Sequence, residues 1–446
     1  MITRIFIQRR ELFAAGHEFP VTGAYEKLVG YVSGEVEPRR RLNRIIVNLD
    51  KAPRNRRGRV EYRSTICILK PLDMARGNGK IFCDAPNRGS KRILSFLNDA
   101  PEANDPATLE HAGNGFLMRQ GYTIVWCGWQ GDLMPLKNWL VLNVPIASNR
   151  GKLITGKSRA EIVVDERGVK SQPLSGDERV MSYEAASRDK SLATLTVREK
   201  SYGRRILVPP TEWDFAACVK DLRSGKEIVR PSTRDLYLLH GFKPGHIYEF
   251  IYPAKNPLVL GLGFAVTRDL ISFLRYEIKD ARGKPNPLAL NKQALKLSRS
   301  RFVSPPLYLP PSRGENKSGG KGRTGITHAY AWGRSQSGRY LRDFVYHGFN
   351  EDEAQRKVLK DPRPILSCFT LKLRRSTGKS AGAWHTQTAR VVTLRYRVTC
   401  VCMSSPAHST TVRLAPSQSK TTRSSESIPC PPAISCARLW SPWIFG

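Results

Sequence analysis

One serine has neighbours suited to nucleophilic chemistry: Gly333-Arg334-Ser335-Gln336-Ser337-Gly338 lies between a short strand-like run at 326–332 and a helical pattern at 339–347. A strand, a sharp turn and a helix in that order lift a serine hydroxyl clear of the backbone, beside the first free amides of the helix. Such a turn strains the serine's backbone, and bulky neighbours would collide with the strand and the helix. Gly333, Ser337 and Gly338 supply the small residues. The chemistry this predicts is acyl transfer. A serine hydroxyl is a weak nucleophile near neutral pH. It needs a base, usually histidine, held by a carboxylate, and donors for the oxyanion that forms.

Two other stretches share the spelling. Gly156-Lys157-Ser158-Arg159-Ala160 runs into Glu161-Ile162-Val163-Val164, which reads as a strand, and Gly378-Lys379-Ser380-Ala381-Gly382 precedes a segment of no helical period. Context therefore selects Ser335. The expected oxyanion donors are the backbone amide of Gln336, helped by the helix N-terminus, and an amide from Asn87-Arg88-Gly89. Gly89 serves equally well as a plain turn residue.

The elements around this turn must form a sheet that presents it. Runs 44–49 and 60–69 carry the branched residues and alternation of strands, joined by a polar turn near 55–58. Gly79-Lys80-Ile81-Phe82-Cys83 is a short strand leading into Asp84-Ala85-Pro86-Asn87-Arg88-Gly89. Residues 121–127 are a fully apolar strand of the parallel-sheet kind, ending at Gly128-Trp129-Gln130-Gly131-Asp132. Val266, Leu270, Ile271 and Leu274 recur at helical spacing. Gly261 and Gly263 before them read as sites of close helix packing, because the full dinucleotide fingerprint is absent. Strand, glycine loop, helix and strand in succession imply a doubly wound α/β sheet, mostly parallel, with helices on both faces.

Taken together, Ala52-Pro53-Arg54-Asn55, Asn87-Arg88-Gly89, Gly113-Asn114-Gly115-Phe116, residues 121–132, Gly261-Leu262-Gly263-Phe264, Arg268-Asp269, Ser335-Gln336-Ser337-Gly338-Arg339 and residues 348–353 form a joint pattern. It resembles a bacterial family of large α/β-hydrolase-domain proteins over about residues 1–358. The resemblance implies an α/β-hydrolase-like fold, a serine nucleophile and ester-type chemistry, with the substrate unspecified; the expectation is a small-molecule carboxylic ester, with no cofactor and no metal. In that fold the order along the chain is serine, acid, histidine. The histidines after Ser335 are His347, His385 and His408, and His347 sits on the helix behind the serine as a packing or surface residue. Asp361 is the candidate acid and His385 the candidate base, with the acids near 351 and His408 as alternatives. No spacing completes a triad.

The chain divides accordingly. Residues 1–149 are the first part of the core. Residues 150–255 form a β-rich insertion expected to cap the substrate pocket, by analogy of fold. Residues 256–358 continue the core with the nucleophile turn, after a long basic Pro/Gly/Ser/Lys segment at 280–325. Residues 359–446 are a basic tail rich in Ser, Thr and Arg, with few periodic apolar faces. The tail reads either as an out-of-frame or unrelated continuation replacing the strands that carry the acid and the base, or as a disordered extension. Either way the enzyme is expected to be weak or inactive.

The formal net charge is +35 over 446 residues, and mean hydropathy is −0.39. Such a charge invites a polyanion, since clustered Lys and Arg release counterions from phosphate. After Asp361, however, 12 Lys or Arg meet one acid, Glu426, so +11 of the charge sits in the tail. Elsewhere the basic residues are scattered, with clusters at Arg39-Arg40-Arg41 and between Arg54 and Arg59, and no nucleic-acid-binding motif accompanies them. Solvated surface charge is the simpler reading, and a non-catalytic polyanion-binding protein is the alternative function. The 9 cysteines show neither a disulfide framework nor zinc spacing. No run reaches the ~20 apolar residues of a membrane span, and the N-terminus lacks a signal-peptide pattern. The expectation is a soluble, by default cytoplasmic protein of open oligomeric state.

Overall fold

The computed structural model describes residues 1–221, 224–290 and 324–360, all within one unit, Met1–Gly382. Strands β1 (Ile2–Leu12), β2 (Tyr25–Val36) and β3 (Val60–Pro71) pair antiparallel in succession. The first half of β3 alternates, with Val60, Tyr62 and Ser64 buried between exposed Glu61 and Arg63, and its second half is buried on both faces. That change marks where the sheet passes from a half-solvated edge into a two-sided core. Strand β4 (Lys80–Asp84) and the fully buried β5 (Thr123–Cys127) follow, and short β6 (Leu142–Asn143) extends the pairing of β3.

The insertion contributes nine strands among the described residues: β7 (Thr155–Val163), β8 (Ser171–Pro173), β9 (Thr194–Arg198), β10 (Ile206–Leu207), β11 (Trp213–Asp214), β12 (Ala216–Lys220), β13 (Glu227–Pro231), β14 (Asp235–Leu238) and β15 (Ile247–Lys255). They make sheets of order β10-β9-β15-β7, β11-β14-β8 and β12-β13. Ile162, Leu195, Trp213, Phe215 and Phe250 lie in an apolar cluster of their own. Strand β16 (His328–Trp332) then returns to the first sheet, parallel to β4, giving the order β1-β2-β3-β5-β4-β16.

Among the described residues four α-helices accompany these strands: α1 (Ile93–Leu97), α2 (Phe116–Arg119), α3 (Leu262–Tyr276) and α4 (Gln336–Tyr346). One face of the large sheet packs Leu28, Val32, Ile66 and Ile68 against Val266, Leu270 and Leu274 of α3. The other face packs Tyr25, Leu69 and Trp126 against Phe13, Ile93, Leu94 and Leu117.

The α/β-hydrolase-like class, a mostly parallel sheet with helices on both faces, is therefore overturned. Strands make up 34% of the structure and helices 18%, and the sheets are mixed, with antiparallel strands. Among the described residues only β5-β4 and β4-β16 are parallel pairs in the large sheet, against antiparallel β1-β2, β2-β3 and β3-β5. The connection from β4 to β5 carries helices of 5 and 4 residues, too short to build a helical layer. The apolar run 121–127 suggested a parallel neighbourhood, but burial on both faces is indifferent to strand direction, and β3 pairs with it antiparallel.

The expected strand at 44–49 is also absent. Residues 41–51 form successive tight turns, with Asn48 at φ 58°, and Ile46 and Leu49 act as buried anchors three residues apart.

Candidate active site

Ser335 joins β16 to α4 with φ 57° and ψ −116°. A relaxed left-handed residue has ψ near about +47°, so this serine lies in a sparsely populated region and stores strain. Local sterics explain the sequence around it. A Cβ on Gly333 would stand 2.7 Å from both the carbonyl carbon and the oxygen of Ser337, so a glycine is required there. The end of β16 is fixed by Ala85 N donating to Trp332 O (2.9 Å), and the turn closes with Ser337 N donating to Arg334 O (3.2 Å) and Arg339 N to Ser335 O (3.1 Å). Ser335 itself is exposed. As the first residue of α4, Gln336 has an amide without an intrahelical acceptor, next to the serine.

Helix α4 is anchored at Tyr340. Its ring stacks on Trp129 (4.0 Å) and Phe264 (5.0 Å), and its hydroxyl lies 2.9 Å from Gly263 O and 2.8 Å from Thr267 Oγ1. Burial raises the Tyr340 phenol well above its ordinary pKa, so it stays neutral. Gly263 is needed for the same assembly, since a Cβ there would sit 2.1 Å from Trp129 O. This close approach is the use of the Gly261–Gly263 pair.

The loop after β4 lies beside the turn at Ser335. Asn87 Nδ2 donates to Arg334 O at 3.5 Å, while Asn87 N donates to Ser90 O (3.2 Å). The side-chain amide of Asn87 is thus nearer the turn, while its backbone amide closes its own loop. Arg88, at φ 48°, pairs with Asp177 of the insertion (Nε to Oδ2, 3.2 Å). Gly89, at φ 80°, accepts from Leu140 N (3.0 Å), and a Cβ there would meet Leu140 O at 2.8 Å. Of the three predicted loop residues, Asn87 joins the site, Arg88 holds the insertion, and Gly89 serves a close packing contact.

Beneath this loop, Asp84 is wholly buried at the end of β4. Its Oδ2 accepts from Arg92 N (2.9 Å), Ile93 N (3.0 Å) and Trp126 Nε1 (2.6 Å), so it ties the start of α1 to β5. Burial pushes its carboxyl up to about 6 despite those three donors. Oδ1 has no hydrogen-bond partner.

A cleft of about 380 Å³ opens beside Ser335, lined by Ala85, Asn87, Arg92, Phe96, Glu102, Trp332, Arg334, Ser335 and Ser337. Phe96 and Trp332 face each other with centroids 5.2 Å apart, and the Arg334 guanidinium lies 4.8 Å from the Phe96 ring centre. Arg92 pairs with Glu102. None of these lining residues belongs to the insertion, which was expected to shape the pocket. The insertion instead touches neighbouring loops, through Arg88–Asp177 and through Met181 N donating to Asp132 O (2.7 Å). On that side Gln336 Nε2 donates to Gln130 Oε1 (3.4 Å). Burial raises the Asp132 carboxyl, partly offset by a hydrogen bond from Gln130.

Among the described residues no histidine lines the cleft. His347 ends α4 and packs edge-on against Phe264 at 6.1 Å. Asp361, His385 and His408 lie outside the described residues, as does Ser380. Ser158 sits inside β7, opposite Tyr252 of β15, far from any strand-to-helix turn. Sequence reasoning left Asp84, Phe96, Trp332 and Arg334 without roles. Asp84 carried a readable signal, an acid at the carboxyl end of a strand, where sites of open sheets collect.

The chain matches no family model, no curated protein and no solved structure. Among the described residues no helix is long and apolar enough to cross a membrane, and no group of three or more His, Cys, Asp or Glu could hold a metal ion.

Proposed function

We propose that this chain is a serine hydrolase acting on carboxylic esters through an acyl-enzyme on Ser335. The observation that carries the reading is the backbone of Ser335, strained at φ 57° and ψ −116° on an exposed turn between a parallel strand and a helix, at the wall of a cleft. Strain of this kind collects at functional sites, where the rest of the structure over-determines it. The Ser335 hydroxyl attacks the ester carbonyl, and the oxyanion that forms meets the Gln336 amide and the positive end of α4, with Asn87 Nδ2 as a second donor. A single donor of this kind is worth ~2.7–4 kcal/mol of barrier. For the base and its acid, the reading keeps His385 and Asp361. Removal of triad partners leaves ~10³–10⁴-fold acceleration over water, so slow labelling is compatible with it and none at all is not.

The test is a fluorophosphonate probe applied to the full chain. Covalent labelling that disappears in Ser335→Ala and persists in Ser158→Ala supports the reading. Absence of labelling in the wild-type chain, or labelling indifferent to Ser335→Ala, overturns it.

A further inference from the structure

The cleft beside Ser335 has an uneven chemistry. Phe96 and Trp332 make an aromatic wall, and Arg92 is neutralised by Glu102. Arg334, the residue just before the serine, lies over Phe96 and makes no ion pair among the described residues. Ser337 lines the same cleft, is 1% exposed, and its Oγ has no hydrogen-bond partner. A buried hydroxyl left unpaired is costly, and a ligand oxygen would satisfy it. An uncompensated guanidinium next to an aromatic wall matches a group that carries a carboxylate and an apolar or aromatic body together.

We propose that the cleft binds esters of this class: an acyl group with an aromatic or apolar body and a free carboxylate, the carboxylate held by Arg334. The assignment rests on the reading of Ser335 as nucleophile for its catalytic part, and on the cleft alone for its binding part. In the reaction the Ser335 Oγ–acyl carbon bond forms, the ester C–O bond breaks, and the alcohol leaves with the serine proton. Water then cleaves the acyl-enzyme, releasing a dicarboxylate and returning a proton to Ser335.

Isothermal titration of the full chain with 3-phenylpropionate and with its amide, 3-phenylpropionamide, tests the binding part. The carboxylate binds about 10-fold tighter than the amide, Arg334→Gln removes that preference, and Arg334→Lys restores part of it. Equal binding of the two compounds by the wild-type chain, or a preference untouched in Arg334→Gln, overturns the proposal. The catalytic part is read as the ratio of kcat/KM for mono-p-nitrophenyl glutarate over p-nitrophenyl butyrate, which falls about 10-fold in Arg334→Gln. Carboxylate preference without turnover or probe labelling removes the serine reading and leaves the anion site standing. Turnover with an unchanged ratio removes the anion site alone.

Discussion

Replacing Ser335 by alanine and by glycine separates strain from chemistry. Both variants lose the hydroxyl, so any contact it makes cancels in the comparison. Alanine keeps a Cβ and therefore keeps the cost of φ 57° and ψ −116°. Glycine adopts positive φ without that clash. A residue held in such a region stores ~1–3 kcal/mol, and the extra freedom of glycine in the unfolded chain returns ~0.4–1 kcal/mol of it. The difference leaves Ser335→Gly more stable than Ser335→Ala by ~0.5–2 kcal/mol, or roughly 1–3 °C in melting temperature for a unit of this size. Urea unfolding followed by tryptophan fluorescence reads this directly, with equal m-values confirming that the unfolded states match. Both variants are silent to the fluorophosphonate probe, so the stability gain appears without activity. A glycine variant equal to or less stable than the alanine variant would refute the strain at this turn, and with it the geometric reason for assigning the nucleophile here.

Other predictions concern buried charges. The Asp84 carboxyl is pushed from 3.8 up to about 6 by burial, so between those values the folded state holds a proton that the unfolded chain has lost. Stability contributed by this group therefore falls as pH rises from about 4 to 6, by ~3 kcal/mol in total. The wild-type-minus-Asp84→Asn difference in unfolding free energy should show that descent between pH 4 and 7, and a flat difference would exclude it. Arg268, fully buried, donates to Asp269 Oδ1 (2.8 Å) and Asn43 Oδ1 (2.8 Å), and it opposes the effect of burial to hold the Asp269 carboxyl down at about 2. Arg268→Met leaves that carboxylate with only the Met1 ammonium and the Tyr62 hydroxyl as partners, both on Oδ2, and should cost ~3–5 kcal/mol in chemical denaturation. A loss below ~1 kcal/mol would show that the network matters little to the fold.

The sharp strand-to-helix turn at Ser335 was legible in the sequence because its causes are local. Gly333 faces Ser337 four residues away, and the small residues announce a contact that the backbone geometry then makes. Strand direction has no such local signature. The run 121–127 is apolar whether its neighbours run with it or against it, and the structure gives it one of each. The run 44–49 has the composition of a strand, yet Asn48 turns the chain and no partner strand pairs with it. The cleft was illegible for a different reason. Phe96 and Arg334 are more than 230 residues apart, and only the parallel pairing of β4 with β16 brings their segments together. Asp84 was visible as an acid at a strand end, but its burial comes from α1 and Trp126, which no spacing reveals.

The strain at Ser335 persists because the segments around it are fixed independently of the serine side chain. Ala85 holds the strand end through Trp332, Asn87 reaches the carbonyl of Arg334, and Tyr340 secures the helix between Trp129 and Phe264. None of these contacts uses the hydroxyl, so the turn keeps its shape whether or not a base stands beside it. That separation explains how the chain can hold a strained serine turn while no histidine among the described residues stands in the cleft wall. If Ser335 is the nucleophile and Arg334 the anion contact, as proposed, both are carried by the same turn. A substitution that relaxes the backbone at 335 should therefore shift the anion preference together with probe labelling, whereas one in the insertion, which lines none of the cleft, should change neither.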